Sequence, residues 1–138
     1  MAGIHNGPIP TKLCLLSDLG KFPTGAKVRF LGCVTNYSTN TAILNLEHNH
    51  PPGNLSKAQV DVNLLVTTLK SNETQIGEWV NVMGYVTSTL RSTDPGKDKM
   101  EIRIQALVLW PAGSFDLAGY EKSLDQKAAD ERTTKQTV

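Results

Sequence analysis

The sequence predicts a mainly β fold in which five strands close into a small barrel. Two strand-like runs, residues 79–86 and 100–110, are joined by a polar turn at 92–97 and form the last hairpin. Apolar side chains recur at every second position of these runs, at 80, 82 and 86 and at 102, 104, 106 and 108. This period is typical of strands that bury one face. The 138 residues, of which 39% are hydrophobic, suffice for one core without disulfides or metal.

The residues before the barrel, 1–26, are predicted to form an extension that packs on it. Their apolar cluster at 13–19 is too short to fold alone, so we expect a lid or a short helical turn over one barrel end. The first strand follows at residues 27–35. Gly32 interrupts its alternation, and we expect a bend or a bulge there, at a barrel corner.

Strands two and three are predicted at residues 41–47 and 58–64, separated by the Pro-Pro-Gly breaker at 51–53. Residues 64–76 then carry leucines at helical spacing and predict a helix of about two to three turns. Five strands with one helix between the third and the fourth is the order of the OB-fold, a partly open five-stranded Greek-key barrel. We therefore expect an OB-fold barrel at residues 27–113.

A second helix is predicted within residues 114–130, followed by a flexible polar tail at 131–138. Pro111 ends the fifth strand, Ser114 suits the N-cap, and Asp116 lies favourably in the first turn. The apolar residues of the helix are spaced three and four apart and form one narrow stripe flanked by charges. This stripe can fold back on its own barrel or lie against a partner's helix, and its length after a completed barrel favours the partner.

The outward face of the fourth strand suits either a partner or nucleic acid. If the valines at 80, 82 and 86 point inward, the side chains between them point outward. Aromatic rings near an arginine can stack bases, but contact with a helix or a partner is the interpretation we favour. The predicted partner-binding set joins this face to the helix stripe and comprises Phe115, Leu117, Tyr120, Leu124, Trp79, Met83 and Tyr85.

OB-folds grip oligonucleotides with the loops between strands one and two and between strands four and five. Tyr37 is assigned to the first of these loops, and basic residues flank the second. His48, in the loop after strand two, can meet a phosphate or a base, although a solvated loop is the simpler interpretation. Ordinary solvated charge is the alternative for the basic residues as well. The predicted nucleic-acid-binding set is Tyr37, His48, Arg29, Lys57, Arg91, Lys97, Lys99 and Arg103.

The residues favour neither an enzyme nor a protein with a cofactor or metal. A net charge of +1 and a pI near 7.8 argue against a protein that acts by phosphate neutralisation alone. We recognise no catalytic triad, paired carboxylates or phosphate-binding loop, and the His-Asn-His run at 48–50 lacks the flanking pattern of a metal-dependent nuclease. Cys14 and Cys33 stand in apolar runs, which favours free thiols and a reducing compartment. Secretion and membrane insertion are not expected, because we find no signal-like segment and no apolar run of membrane length.

Four segments carry a resemblance through their sum and order: KLCLLSDL at 12–19, KVRFLGCV at 27–34, GEWVNVMGYV at 77–86 and VLW at 108–110. Together they resemble the fungal TEN-type family, the smallest subunit of the CST telomere-capping complex. The resemblance covers nearly the whole chain, and its motifs are mostly structural segments of an OB-fold.

The resemblance implies an OB-fold subunit that pairs with the STN-type middle subunit through its C-terminal helix, much as the small and middle subunits of replication protein A pair. It also implies a nuclear protein of the telomeric region, assembled with the large CST subunit on single-stranded G-rich telomeric DNA. The family's complex limits telomerase and supports lagging-strand fill-in by DNA polymerase alpha-primase. Its small subunit mainly stabilises the complex, which agrees with the weak net charge.

Two hypotheses of different class follow. An interaction subunit binds single-stranded DNA weakly by itself, whereas an autonomous single-stranded nucleic-acid-binding OB protein binds it alone with a strong salt dependence. A DNA titration of the isolated chain at two salt concentrations separates them.

Overall fold

The computed structural model describes residues 10–92 and 99–136, with side chains described as far as residue 131. These described residues form six strands and one α-helix. They are β1 Lys12–Leu13, β2 Lys27–Ser38, β3 Ile43–Glu47, β4 Leu55–Asp61, β5 Trp79–Arg91, β6 Lys99–Pro111 and α1 Leu117–Gln136. Among the described residues, no helix has both the length and the apolar character needed to cross a membrane.

The strands β2 to β6 close into a barrel because β2 pairs with β3 on one side and with β5 on the other. Around the barrel the order is β2-β3-β4-β6-β5. The β4–β6 pair is parallel, whereas the other pairs of the barrel are antiparallel. β1 adds a short parallel pair to β2. This is the five-stranded OB-fold barrel that the sequence predicts.

The barrel interior is filled by alternate side chains of the strands, as the period of two predicts. The residues predicted to point inward from β5 and β6 are buried: Val80, Val82, Val86, Ile102, Ile104 and Ala106. The side chains between them on β5, at 79, 81, 83 and 85, are half-buried on the outer face. Both predictions of orientation are confirmed.

One inward assignment is wrong. Val108 is 42% exposed and pairs with Met83, whose side chain lies on the outer face. The cause is a register shift between Met83 and Gly84, where β6 carries one extra residue. Such a bulge reverses the alternation of the strand beyond it, so Leu109 packs toward the core in place of Val108.

Gly32 has a different role from the predicted one. The irregularity of β2 lies between Val34 and Asn36, not at the glycine. A Cβ added at Gly32 would stand 2.8 Å from Leu46 Cβ and 3.2 Å from Leu16 Cδ1. The glycine therefore leaves room for these two leucines inside the barrel.

The N-terminal segment packs on one end of the barrel through a 3-10 helix, Leu16–Lys21. Leu16 and Leu19 are fully buried and belong to the core of the barrel. The short helical turn expected at residues 13–19 is thus present, and its leucines close the barrel end.

The segment between β4 and β5 contains no α-helix, so the helix predicted over 64–76 is wrong. Two 3-10 turns, Asn63–Leu65 and Ser71–Glu73, stand in its place. Leu65 and Leu69 pack against the core, and these two contacts account for the helical spacing. The run Val-Thr-Thr at 66–68 is β-branched and disfavours a helix.

The C-terminal helix begins and ends later than predicted. Asp116, not Ser114, caps α1, because its Oδ1 accepts a hydrogen bond from the N–H of Gly119 at 3.0 Å. The helix continues to Gln136, so residues 131–136 belong to it and not to a tail.

Candidate functional site

α1 packs on its own barrel, which is the first of the two alternatives that the sequence left open. Leu124 is 7% exposed, and Tyr120 is half-buried with its hydroxyl near the backbone of Leu31. Leu31 is an outward residue of β2, yet it is only 2% exposed. Lys127 Nζ also donates to the carbonyl oxygen of Leu13 at 3.3 Å. The stripe therefore holds α1 in place, and Tyr120 and Leu124 face the barrel.

Trp79 and Phe115 also contact each other within the chain. Their rings meet edge to face with centroids 5.9 Å apart, which joins the start of β5 to the segment before α1. Trp79 makes a second edge contact with the ring of His48, at 5.3 Å. Of the predicted partner-binding set, Trp79, Phe115, Tyr120 and Leu124 thus support the position of α1.

His48 is buried, and the interpretation of a solvated loop is wrong. Its side chain is 1% exposed, and its Nε2 lies 2.7 Å from Glu121 Oε2 on α1. His50 follows in the same loop, with its Nε2 2.9 Å from Asp125 Oδ2 and its Nδ1 3.6 Å from Glu121 Oε1. We name these four residues the His–acid clasp. While α1 is docked, the clasp and the ring of Trp79 cover His48, so it is not available to nucleic acid.

Burial raises the pKa of two side chains, the Cys14 thiol and the Tyr120 hydroxyl. Desolvation, with a smaller effect of Asp18, raises the pKa of the Cys14 thiol to about 12, although Lys127 opposes the shift. Desolvation also raises the pKa of Tyr120 to about 12, with Cys14 adding to the shift and Arg29 opposing it. Cys14 and Cys33 are both free thiols, as expected.

An apolar strip remains open beside α1 on the outer face of β5 and β6. It consists of Met83, Tyr85, Val108 and Trp110, and we name it the outer strip. Met83 pairs with Val108 in the sheet, and Val108 is 42% exposed. A pocket of about 360 Å³ adjoins the strip and is lined by Val108, Trp110 and the leucines at 65 and 69.

Arg29, which was predicted to extend the nucleic-acid-binding edge, lies on β2 beside the outer strip. Its guanidinium lies 5.1 Å from the centroid of the Trp110 ring, within the range of a cation–π contact. In the sheet Arg29 pairs with Met83.

The other predicted basic residues lie near the β4–β6 pair and the end of the β5–β6 hairpin. Arg103 Nε donates to Gln59 Oε1 at 3.1 Å, and Lys57 stands opposite Glu101 in the sheet. Arg91 ends β5 and Lys99 begins β6, so both flank the loop as predicted. Lys97 lies outside the described residues. We name Lys57, Arg103, Arg91 and Lys99 the basic face.

Tyr37 does not lie in the loop to which the sequence assigned it. β2 extends to Ser38, so Tyr37 is a strand residue and pairs with Leu44. Its ring packs against the core. Tyr37 is therefore a half-buried residue of the barrel wall and not part of the loop between β2 and β3.

Sequence reasoning missed six residues of these surfaces, and His50 of the clasp is one of them. Glu121 and Asp125 stand four apart on α1, and this spacing places both carboxylates on one helix face, where a His-X-His run can meet them. The orientation of Val108 and Trp110 was not predictable, because the bulge reverses the alternation of β6 before them. No local sequence pattern indicates the contact of Gln59. Within residues 10–92 and 99–136, no group of three or more His, Cys, Asp or Glu is arranged to hold a metal ion.

Comparison with known proteins yields one family and several structural neighbours. Residues 1–125 match the model of the Ten1 family, described as a telomere capping, CST complex subunit. Comparison with curated protein sequences found no match.

The structural neighbours share the fold over most of the chain. A chain of the crystal structure of the S. pombe Stn1–Ten1 complex is 23% identical with a TM-score of 0.64, over 89% of this chain and 96% of that chain. The crystal structure of Ten1 from S. pombe is 22% identical with a TM-score of 0.64, over 87% of this chain and 99% of that chain. U. maydis replication protein A bound to single-stranded DNA is 20% identical with a TM-score of 0.57, over 89% of this chain and 94% of that chain.

Proposed function

This chain belongs to the Ten1 family of telomere-capping, CST complex subunits, and we propose that it acts there by pairing with an Stn1-type subunit. The observation that carries the proposal is the extent of the family match. It spans residues 1–125, which include the whole barrel and α1 as far as the clasp residue Asp125. The pairing itself is taken from the S. pombe neighbour, which is a Stn1–Ten1 complex.

The partner-binding surface we propose is the outer strip together with the exposed side of α1. Met83 and Tyr85 remain half-open there, next to the exposed Val108. The pocket beside Trp110 suits an apolar anchor of the partner, since anchors in pockets carry most of the affinity of an interface. Phe115 contacts Trp79 at the start of β5, and Leu117 begins α1. The buried stripe residues Tyr120 and Leu124 support the surface from below.

The basic face is the proposed site of single-stranded telomeric DNA. Its charges are few, and Lys57 stands opposite the carboxylate of Glu101. With a net charge of +1 for the whole chain, the isolated subunit has little capacity to neutralise phosphates. We therefore propose that the assembled complex binds the DNA and that this subunit strengthens its grip. An autonomous single-strand-binding protein is the less favoured function.

Family membership supports the remaining parts of the proposal. The chain acts in the nucleus, at the telomeric region of the chromosome, as a binding subunit and not as an enzyme. It assembles with the large CST subunit and contributes to telomere end protection. Support of lagging-strand fill-in by DNA polymerase alpha-primase belongs to the same proposal.

The test is a pair of charge insertions at exposed apolar positions. Val108→Glu lies on the outer strip, whereas Leu90→Glu lies on β5 away from it, at a side chain that is 66% exposed. We expect Val108→Glu to weaken binding to the Stn1-type subunit of the same organism at least about tenfold, and Leu90→Glu to leave it unchanged. Isothermal titration calorimetry measures both. A wild-type chain that does not bind this subunit contradicts the pairing, and equal losses in the two variants contradict the location.

A further inference from the structure

The His–acid clasp connects two parts of the chain that are far apart in sequence. The loop between β3 and β4 contributes the two imidazoles, and one face of α1 contributes the two carboxylates. The distances are 2.7 Å from His48 to Glu121 and 2.9 Å from His50 to Asp125. Glu121 also lies 3.6 Å from His50, so both histidines contact its carboxylate.

The rings around His48 fix the orientation in which its imidazole meets Glu121. The ring is held by the edge of Trp79 at 5.3 Å and lies 6.0 Å from the stacked ring of His50. Its Nδ1 is buried, with no hydrogen-bond partner in the described part of the chain. Because a carboxylate can only accept, Nε2 carries the hydrogen that it donates to Glu121.

Apolar packing alone does not determine how α1 sits on the barrel. Hydrophobic contact is non-directional. The stripe of α1 is also narrow, and Leu124 is its one buried side chain among the described residues. A one-residue change of register rotates a helix by about 100°, and hydrogen bonds discriminate such rotations because they depend on angle and distance. Two polar contacts one turn apart, at Glu121 and Asp125, fix both the rotation of α1 and its position along its axis.

We propose that the four residues of the clasp are positioning residues for partner binding, because they hold α1 in the orientation that the partner meets. This inference rests on the proposed function. A docked α1 presents the outer strip and its own exposed side as one preformed surface, so binding carries no cost of ordering the helix. When the clasp is broken, only a fraction of the molecules have α1 docked in the orientation that binds the partner. The apparent Kd then rises by the inverse of that fraction.

The experiment uses three alanine substitutions of carboxylates on the same helix in the full chain. Glu121→Ala and Asp125→Ala break the clasp singly and together, while Glu131→Ala removes an exposed carboxylate of α1 outside the clasp. Hydrogen–deuterium exchange reports on the docking of α1, with the amides of β5 as the internal reference for the barrel. Surface plasmon resonance against the Stn1-type subunit gives kon and koff separately.

We expect the double variant to exchange faster throughout residues 117–128 while β5 stays protected, and to bind about tenfold more weakly, mainly through kon. Glu131→Ala should change neither quantity. Glu121→Gln should restore part of the loss, because its amide oxygen still accepts from His48 Nε2. The ¹⁵N resonance of His48 Nε2 should show a hydrogen-bonded N–H in the wild-type chain and lose this signature in Glu121→Ala.

Unchanged exchange in α1 of the double variant would overturn the inference, and so would an equal loss of affinity in Glu131→Ala. A loss confined to koff would also overturn it, since it indicates a direct contact with the partner. Failure of the wild-type chain to bind the Stn1-type subunit would overturn the proposed function and the inference together. Faster exchange with unchanged kon would overturn the inference alone.

Discussion

The side chain of Asp116 accepts a hydrogen bond from the backbone N–H of Gly119 at 3.0 Å, and this contact begins α1. A Cβ at position 119 would overlap the carboxylate of Asp116. The glycine therefore serves the cap, although glycine inside a helix normally costs stability. The start of α1 is thus a compromise between a good N-cap and a poor helix former.

Gly119→Ala is predicted to stabilise the protein far less than a glycine-to-alanine change in a helix usually does. The usual gain is about 1 kcal/mol, and an N-cap contributes a similar amount, about 1 kcal/mol. Because alanine displaces the cap, the two terms offset each other. In the Asp116→Ala background the cap is already lost, so the same substitution should gain the full amount. Urea denaturation of the four proteins measures this coupling, and equal effects in both backgrounds would contradict it.

Gly84→Ala is predicted to destabilise the barrel strongly. Gly84 lies at the bulge between β5 and β6, and a Cβ there would overlap the backbone carbonyl of Gln105. A backbone group cannot move aside as a side chain can, so we expect a loss of about 3 kcal/mol, at the upper end of the range for overpacking. The control is Ser88→Ala, an exposed position further along the same strand. A loss below about 1 kcal/mol in urea denaturation would show that the strands separate easily at this point.

The fold was predictable where its signal is local. Burial of one strand face imposes a period of two on the sequence, and this period identified β5 and β6 with most of their inward residues. The prediction failed at Val108 because the inserted residue at the bulge depends on the partner strand. It failed at residues 64–76 because two leucines that anchor an irregular segment can have the same spacing as a helix.

The site was less predictable, since its contacts join distant parts of the chain. His48 and Glu121 are 73 positions apart, and no local pattern reports such a contact. The outward side chains of β5 could be identified, because orientation follows from alternation. Which of these side chains are covered by α1 and which remain exposed could not be predicted, because that depends on where α1 docks. The contact of Arg29 with Trp110 could not be predicted either, because the two residues lie on different strands.

Stability is predicted to fall at alkaline pH, beginning near pH 9. The Cys14 thiol has an ordinary pKa of 9.0 and a pKa of about 12 in the folded chain. Between these values the folded state holds a proton that the unfolded state has released, so the free energy of unfolding decreases as pH rises. Tyr120 adds to the decrease between its ordinary pKa of 10.0 and about 12.

Urea midpoints at pH 8, 9.5 and 11 measure this effect. Cys14→Ala should flatten the fall above pH 9, and Tyr120→Phe should flatten it above pH 10. Ser88→Ala, which removes an exposed hydroxyl from β5, is the control and should leave the profile unchanged. A midpoint that stays constant from pH 8 to 11 in the wild-type chain would contradict the buried positions of both groups.

The last prediction concerns single-stranded DNA bound to the assembled pair with the Stn1-type subunit. Arg103 contacts Gln59, and Lys57 on the neighbouring strand stands opposite Glu101. Arg29, in contrast, lies over the ring of Trp110 on the outer strip. Each phosphate contact to a single strand contributes about 0.7 to the slope of log K against log salt. Arg103→Gln and Lys57→Gln should therefore each lower the slope by about this amount. Arg29→Gln removes the same charge and should leave the slope unchanged once the pair has formed. Fluorescence anisotropy with a G-rich oligonucleotide at four salt concentrations measures all three variants. If Arg29→Gln lowers the slope as much as Arg103→Gln, the DNA runs across the outer strip, and the basic face is not its binding site.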